Sequence, residues 1–177
     1  SIEQFRIGYS VDDWSNLIDF LIKRGYKEQE IFSAGLSIKK DRGSGFYDRF
    51  RHRLMFPIID HHGRTVGFGG RALKKDEPAK YINSPQTEIY NKSEALYGLY
   101  WAKDAIRKAN ECILVEGYMD VIPSHQAGVE NAVSISGTAL TDQQLKNLKR
   151  YTNNLSLALD MDEAGQRAAL RSIELAL

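Results

Sequence analysis

Residues 113–121, ILVEGYMDV, place an apolar run directly before a glutamate, a glycine and a second carboxylate. An apolar run of this length that is closed by glycine is typical of a buried strand. Glu116 is therefore predicted to stand where that strand ends, with Asp120 about one helical turn beyond it. The question is what stabilises a carboxylate at the end of a hydrophobic strand.

Strand and helix patterns alternate over the rest of the chain. We predict strands at 111–115, 131–135 and 154–159, helices at 118–127 and 141–150, and a last helix that runs to the C-terminus. Thr141 and Gln144 have the spacing of a capping box for the second of these helices. Such alternation predicts a parallel sheet with right-handed crossovers. The last helix has neither a cap nor a closing strand, so we expect the sequence to be an excised part of a longer chain.

Three carboxylates are predicted to meet at one edge of this sheet. Glu116 ends the first strand, Asp160 ends the third, and Asp162 lies two residues further on the same side of an extended chain. Ligands of open α/β sheets bind at the carboxyl ends of the strands. Carboxylates that are brought together repel each other, and Mg²⁺, which one or two carboxylates and substrate phosphates typically hold, relieves that repulsion. The edge, with Asp120 beside it, is a candidate site for metal-assisted phosphoryl transfer.

The same carboxylates also have a purely structural interpretation. Acidic side chains stabilise helix N-termini, so Asp162 is placed to cap the final helix and Glu116 to cap the helix that begins near Tyr118. Capping explains each residue singly, whereas metal binding explains why carboxylates stand at matching strand ends.

The first part of the chain has a mixed pattern. Ser10 and Asp13 have capping-box spacing at the start of an apolar helical repeat that includes Trp14. We predict helices at 10–25, 27–34 and 91–109, a loop with at most a brief strand over 37–50, and a β-hairpin of strands 53–59 and 65–73 around the turn DHHG. A change of composition near Asn110 predicts a boundary between an α+β subdomain, 1–110, and the parallel-sheet subdomain, 111–177.

Composition and charge restrict the class of protein. Of the 177 residues 42% are hydrophobic and 27% charged, which is ordinary for a globular protein, and no apolar run approaches the roughly 20 residues of a membrane span. The single cysteine excludes a cysteine-rich zinc site within this chain and favours a cytoplasmic location. Residues 39–80 contain 11 Lys and Arg against 5 Asp and Glu. This basic segment indicates a polyanionic partner or, alternatively, a solvated charged face.

Several motifs resemble the catalytic core of bacterial DnaG-type DNA primases. VEGYMDV, SGTALT and LALDMDEAGQRAA are similar to the TOPRIM domain, a catalytic fold that these primases share with topoisomerases and some nucleases. RFRHRLMFPIIDHHGRTVGFGGRAL and AKYINSPQTEIYNKSEALYGL are similar to the subdomain that precedes it in primases. The resemblance covers nearly the whole chain. It implies a Rossmann-like parallel sheet with flanking helices, preceded by an α+β subdomain with a hairpin.

The resemblance also implies a function, namely synthesis of short RNA primers on single-stranded DNA from ribonucleoside triphosphates by nucleotidyl transfer. The implied catalytic and metal residues are Glu116, Asp160 and Asp162, with Asp120 in support and Mg²⁺ or Mn²⁺ as the metal. The implied residues for template and nucleotide are Arg51, Arg53, Arg71, Lys80, Asn83 and Lys92. The implied location is the bacterial replication fork, with a replicative helicase bound through a domain outside this sequence and no membrane partner.

Two features depart from the family pattern. Met161 stands between the two aspartates, where the family usually has glycine, and the family's next acidic motif and helical subdomain lie beyond Leu177. We therefore expect the excised chain to polymerise poorly or not at all. The alternatives are a TOPRIM nuclease that uses similar carboxylates with water as nucleophile, and a nucleic-acid-binding module without catalysis.

Overall fold

The structure is a computed structural model that describes residues 2–135 and 139–160. The chain divides into two compact units, one formed by residues 1–57 and 65–91 and the other by 58–64 and 92–177. The division of the chain at residue 110 stays a prediction. Within the described part of the chain, no helix combines the length and the apolar character that crossing a membrane requires.

The first unit contains most of both strands of the predicted hairpin, whose tip, residues 58–64, belongs to the second unit. The helices of the first unit are α1 (Asn16–Lys23) and α2 (Glu28–Ser33), and its strands are β1 (Gly8–Ser10), β2 (Ser37–Lys39), β3 (Phe46–Asp48), β4 (Arg53–Ile59, whose last two residues belong to the second unit), β5 (Thr65–Ala72) and β6 (Tyr81–Asn83). The four-stranded sheet has the order β1-β4-β5-β6, and β1 and β6 each run antiparallel to their neighbour. The predicted strands 53–59 and 65–73 are thus confirmed as β4 and β5.

The start of the first helix differs from the prediction. Ser10 ends β1 and its hydroxyl accepts a hydrogen bond from the Arg53 N–H at 3.1 Å, so it caps no helix. The N-terminus of α1 is capped instead by the carboxylate of Asp48, which accepts bonds from the N–H groups of Leu17 (2.7 Å) and Ile18 (3.0 Å). The predicted capping box was wrong because its function is performed by a carboxylate 30 residues away in sequence, which local spacing cannot indicate.

The segment predicted as a loop contains a second, two-stranded sheet. β2 and β3 pair antiparallel, with Ile38 opposite Tyr47. The polar and glycine residues at its tip hid the hairpin from the sequence pattern. The hairpin matters for the fold because it places the Asp48 carboxylate at the N-terminus of α1.

The second unit contains the predicted parallel sheet. Its elements are α3 (Leu99–Ala109), β7 (Cys112–Val115), α4 (Tyr118–Gln126), β8 (Ala132–Ser134), α5 (Asp142–Lys149) and β9 (Leu155–Leu157). The strands have the order β8-β7-β9, and both neighbours run parallel to β7. The Thr141 hydroxyl accepts a bond from the Gln144 N–H at 3.1 Å, which confirms the predicted capping box. The predicted last helix lies outside the described residues.

The helix predicted over 91–109 begins only at Leu99. Tyr97 forms an isolated antiparallel bridge with Ser134, in which N–H and C=O groups exchange bonds of 2.9 and 3.0 Å. The chain before α3 therefore pairs with β8 instead of coiling. Gly98 permits the change of direction with φ +90°, a conformation that costs a residue with a Cβ atom about 1 kcal/mol or more. One core cluster then joins α3 and α5 to the sheet through Ile106, Leu114 and Leu148, among others.

We expect Gly98→Ala to destabilise the protein by about 3 kcal/mol. A Cβ atom there would lie 2.8 Å from Cγ1 of Val121, so a packing clash adds to the cost of positive φ. Gly128→Ala is the matched control, since φ is +88° but no atom lies within 4 Å of the new Cβ. Urea unfolding should give a loss of only about 1 kcal/mol for the control. Equal losses in the two variants would contradict the packing argument.

Candidate metal and nucleic-acid sites

The structure brings Glu116 and Asp160 together at the carboxyl edge of the parallel sheet. β7 ends at Val115 and Glu116 follows it, while the chain beyond β9 stays beside β7 through a 2.8 Å bond from the Ala158 N–H to the Leu114 carbonyl. The Glu116 Oε1 atom accepts a 3.0 Å bond from the Asp160 N–H. Glu116 is half-buried and the side chain of Asp160 is exposed. Two of the three predicted carboxylates therefore share one edge that solvent can reach.

Asp120 has a structural contact of its own. Its Oδ2 atom accepts a 2.8 Å bond from the Gly117 N–H, so Asp120 stabilises the first turn of α4. Asp120 thus completes the capping box of this helix, whereas the carboxylate of Glu116 accepts its bond from the chain just beyond β9. The capping interpretation of Glu116 is not supported, and a supporting role of Asp120 at a metal remains a prediction.

The donor set at this edge fits Mg²⁺ or Mn²⁺ in part. Across residues 2–135 and 139–160, no group of three or more His, Cys, Asp or Glu side chains is arranged to hold a metal ion. Asp162, the third predicted ligand, lies outside the described residues, as does Met161. Glu116 and Asp160 supply hard oxygen donors just beyond the ends of β7 and β9, and Mg²⁺ is commonly held by only one or two carboxylates with waters and phosphates.

Arg53 is a correction to the predicted template-binding set. Its side chain is 5% exposed, and its guanidinium donates to the carbonyls of Gly70 (3.3 Å) and Ala79 (2.9 Å) and to the Glu77 carboxylate (3.1 Å). Arg53 thus joins β4 to β5 and to the segment before β6. A buried arginine that is bonded in this way is not available to a phosphate, so we withdraw it from the predicted set.

The glycines before Arg71 have a packing role. A Cβ atom on Gly70 would lie 2.9 Å from Cδ1 of Phe50 and 3.1 Å from Cδ of Arg53, and one on Gly67 would lie 3.2 Å from the Tyr90 ring. The glycines therefore make room for aromatic and arginine side chains inside the unit.

Arg71 and Lys80 lie together around an aromatic ring. Arg71 pairs with Tyr81 across β5 and β6. The Arg71 guanidinium lies 5.8 Å and the Lys80 ammonium 5.9 Å from the centre of the Tyr81 ring, which is 38% exposed. Two cations beside an accessible ring suit a phosphate and a base of one nucleic-acid strand.

Arg51 lies in a second group of aromatic side chains. Its guanidinium stacks 4.2 Å from the centre of the Trp14 ring and 5.1 Å from that of Tyr47, and it donates a hydrogen bond to the Asp48 carbonyl. Trp14 is 65% exposed, although the sequence pattern assigned it to the buried face of a helix. Trp14 and Tyr47 also line a cavity of about 440 Å³ together with Lys40.

Arg49 is a candidate that the sequence analysis missed. It is half-buried, and its Nε atom is buried without a hydrogen-bond partner among the described residues. Burial lowers the pKa of its guanidinium. An unsatisfied buried donor is costly, so a bound anion is one explanation for its retention. Its position two residues before Arg51, within the basic segment, was the available signal.

The last two predicted residues belong to different units. Asn83 ends β6 opposite Gly69, in the first unit, and is half-buried. Lys92 is in the second unit, where its carbonyl accepts a 3.3 Å bond from the Gln144 side chain and its own side chain is half-buried. Their contacts with template or nucleotide remain predictions.

Comparison with known proteins identifies the family. Residues 1–103 match the family model for the N-terminal domain of the DNA primase catalytic core, and residues 113–177 match a Toprim-like family. The chain belongs to the DNA primase catalytic-core family. This confirms both the resemblance and the predicted fold class, α/β with a Toprim-like parallel sheet and an antiparallel hairpin.

Individual primases agree with the family models. The chain is 46% identical over 176 residues to a DNA primase of Clostridium acetobutylicum, an alignment that covers 99% of the chain but 29% of that relative. A primase domain from Pseudomonas aeruginosa matches with TM-score 0.90 at 41% identity over 99% of this chain and 55% of its own. A DnaG catalytic domain solved with bound single-stranded DNA matches with TM-score 0.88 at 43% identity, over 99% of this chain and 54% of its own. This primase-family chain thus spans less than a third of the curated relative and about half of the solved domains.

Proposed function

We propose that this chain supplies part of the catalytic core of a primase that makes short RNA primers on single-stranded DNA. The observation that carries the proposal is the contact between Glu116 and the Asp160 N–H at the edge of a Toprim-like sheet. A primase relative at 46% identity, and a similar domain solved with single-stranded DNA, support the choice of reaction and template.

Glu116, Asp160 and Asp162 are the residues that would hold a divalent cation, Mg²⁺ or Mn²⁺. When bound, such a cation offsets the negative charge that develops on the attacking and leaving oxygens of nucleotidyl transfer. The chain's own contribution is to hold the carboxylates in place before substrate arrives. The Asp160 N–H fixes the Glu116 carboxylate, and the pairing of β7 with β9 fixes the spacing of the two strand ends.

The cations of the first unit would bind template and ribonucleoside triphosphate. Arg51, Arg71 and Lys80 each lie beside an aromatic ring, so phosphate neutralisation and base stacking are available from the same residues. Such contacts bind a single strand with little sequence preference and with strong dependence on salt. Arg49 joins this set in place of Arg53. Contact with a replicative helicase, and a place at the replication fork, follow only from the family.

A chimaera tests the proposal. The 176 matched residues of the Clostridium acetobutylicum relative are replaced by this chain, and ribonucleotide incorporation is measured on single-stranded DNA with Mg²⁺ or Mn²⁺. We expect short RNA products that require template, metal and ribonucleotides. Cleavage of DNA by metal without ribonucleotides would favour a nuclease, and DNA binding that is indifferent to metal and triphosphate would favour a binding module.

A further inference from the structure

The second unit carries a group of cations that the proposed catalytic function does not use. Residues 103–110, in the second half of α3, and 146–151, at the end of α5, contain six Lys and Arg and a single Asp. We define the α3–α5 basic face by Lys103, Arg107, Lys149 and Arg150 together with Tyr100 and Tyr151.

Hydrogen bonds tie the end of α3 to the segment that follows α5. Asn110, just after α3, accepts a 3.1 Å bond from the Thr152 hydroxyl and a 2.8 Å bond, at its carbonyl, from the Asn154 side chain. The Arg107 guanidinium lies 4.8 Å from the centre of the Tyr151 ring. Arg107 therefore contacts the residue that directly follows the pair Lys149–Arg150.

The tip of the β4–β5 hairpin extends the α3–α5 basic face. Lys103 lies 4.8 Å from the centre of the Tyr100 ring and 3.5 Å from the His61 carbonyl. Arg150 is close enough for its charge to lower the pKa of His61, after burial and the neighbouring His62. Tyr100 in turn packs within about 3.0 Å of the place a Cβ atom would occupy on Gly63. The cations therefore stand between half-buried aromatic rings that keep part of their surface in solvent.

The position of the face separates it from the metal edge. α3 leads into the amino end of β7 and α5 into the amino end of β9, whereas Glu116 and Asp160 follow the carboxyl ends of the same two strands. The cations at the ends of α3 and α5 thus lie toward the amino edge of the sheet, whereas the carboxylates lie at its carboxyl edge. Helix dipoles favour one or two cations at a C-terminus, but they do not account for Lys103 in the middle of α3.

Most of this charge is free to act on a ligand. Arg107 forms an ion pair with Asp104 at 3.0 Å, but the two side chains are 55% and 81% exposed, so the pair is weak. Lys149 and Arg150 are exposed and Lys103 is half-buried against Tyr100. Cations interleaved with aromatic rings suit a nucleic-acid strand, whose phosphates and bases meet both kinds of side chain.

We propose that the α3–α5 basic face is a second nucleic-acid-binding surface, separate from the metal edge, that contacts the phosphate backbone of template or product. The proposal rests on the proposed primase function, which is the reason that the ligand is identified as nucleic acid and not as another polyanion. It assigns to the second unit a binding role that requires no metal.

The test compares two double variants of this chain in binding a 30-nucleotide oligo(dT), measured by fluorescence anisotropy between 50 and 200 mM salt without divalent metal. Lys103→Gln/Arg150→Gln removes two cations from the face, and Lys23→Gln/Lys27→Gln removes two exposed lysines of the first unit that belong to no predicted site. We expect the first variant to bind several-fold more weakly, with a salt slope shallower by about 1 to 2, and the control to match wild type.

The outcomes distinguish this proposal from the primase proposal. Equal binding by both variants and wild type would overturn the second surface and leave the metal edge untouched. Equal weakening in both variants would also overturn it, because net charge rather than location would then control binding. If the face variant lost binding to polyglutamate but kept DNA binding, the partner would be an acidic protein. If wild type bound no nucleic acid at all, the second surface would be overturned, while primer synthesis by the chimaera would test the primase proposal separately.

Discussion

Glu116→Gln is expected to weaken Mn²⁺ binding to this chain at least tenfold and to reduce primer synthesis by the chimaera about 100-fold or more. Glutamine keeps the shape of the side chain, and its amide oxygen can still accept the bond from the Asp160 N–H. The variant therefore removes a negative charge with little change in structure. Loss of one preorganised electrostatic group at a reacting centre commonly costs about 10²–10³ in kcat.

Glu130→Gln is the matched control for that experiment. Glu130 is exposed and stands just before β8, at the amino edge of the same sheet. The control removes the same charge at the edge of the sheet opposite the carboxylate pair. A purely long-range electrostatic effect would therefore weaken metal binding equally in both variants. Electron paramagnetic resonance of Mn²⁺ measures binding, and ribonucleotide incorporation measures activity. Undiminished metal binding and synthesis by Glu116→Gln would remove Glu116 from the site.

Arg53→Ala is expected to destabilise the protein by about 3 kcal/mol or more. The substitution removes a buried cation and leaves the carbonyls of Gly70 and Ala79 and the Glu77 carboxylate without their donor. The buried Gly70 carbonyl loses its donor, at a cost of about 1–3 kcal/mol, and the space left by the deleted side chain adds a packing loss. The Glu77 side chain is 40% exposed, so water replaces its lost partner at little cost. Urea unfolding monitored by circular dichroism gives the loss directly.

Arg64→Ala separates a buried arginine from an exposed one. Arg64 pairs with Asp60 at 2.7 Å, but its side chain is 74% exposed, so we expect a loss below about 1 kcal/mol. DNA binding is measured for both variants below their unfolding transitions. If folded Arg53→Ala lost DNA binding while its stability matched wild type, the original assignment of Arg53 to the template site would be right and its structural role wrong.

Sequence patterns predicted the elements whose cause is local. The apolar run before Glu116, the Thr141–Gln144 capping box and the hairpin around DHHG each depend on neighbouring residues, and each is confirmed. The parallel pairing of β7, β8 and β9 was predicted from the alternation of strands and helices, which favours right-handed crossover connections. Because parallel strands end at a common edge, this topology also predicted that Glu116 and Asp160 lie close together.

Patterns failed where a distant residue decides the outcome. Asp48, which caps α1, lies in the β2–β3 hairpin. Ser134 pairs with Tyr97, and α3 therefore begins only at Leu99. The family resemblance that placed Arg53 among the template-binding cations could not show that β5 and Glu77 enclose it. For Trp14 the pattern predicted burial where the structure shows exposure. Trp14 has helical spacing to the apolar residues that follow it, but it lies before the helix and is exposed, stacked against Arg51.

The central claim is that Glu116 and Asp160 form the start of a divalent-metal site at the carboxyl edge of the sheet. Crystals of this chain soaked with Mn²⁺ and a ribonucleoside triphosphate, measured at the manganese absorption edge, test it most directly. We expect an anomalous peak beside Glu116 and Asp160, with Asp162 as a further ligand and triphosphate near Arg71 and Lys80. An absence of manganese in crystals where both carboxylates are accessible would contradict the claim, and would favour a nucleic-acid-binding module without catalysis.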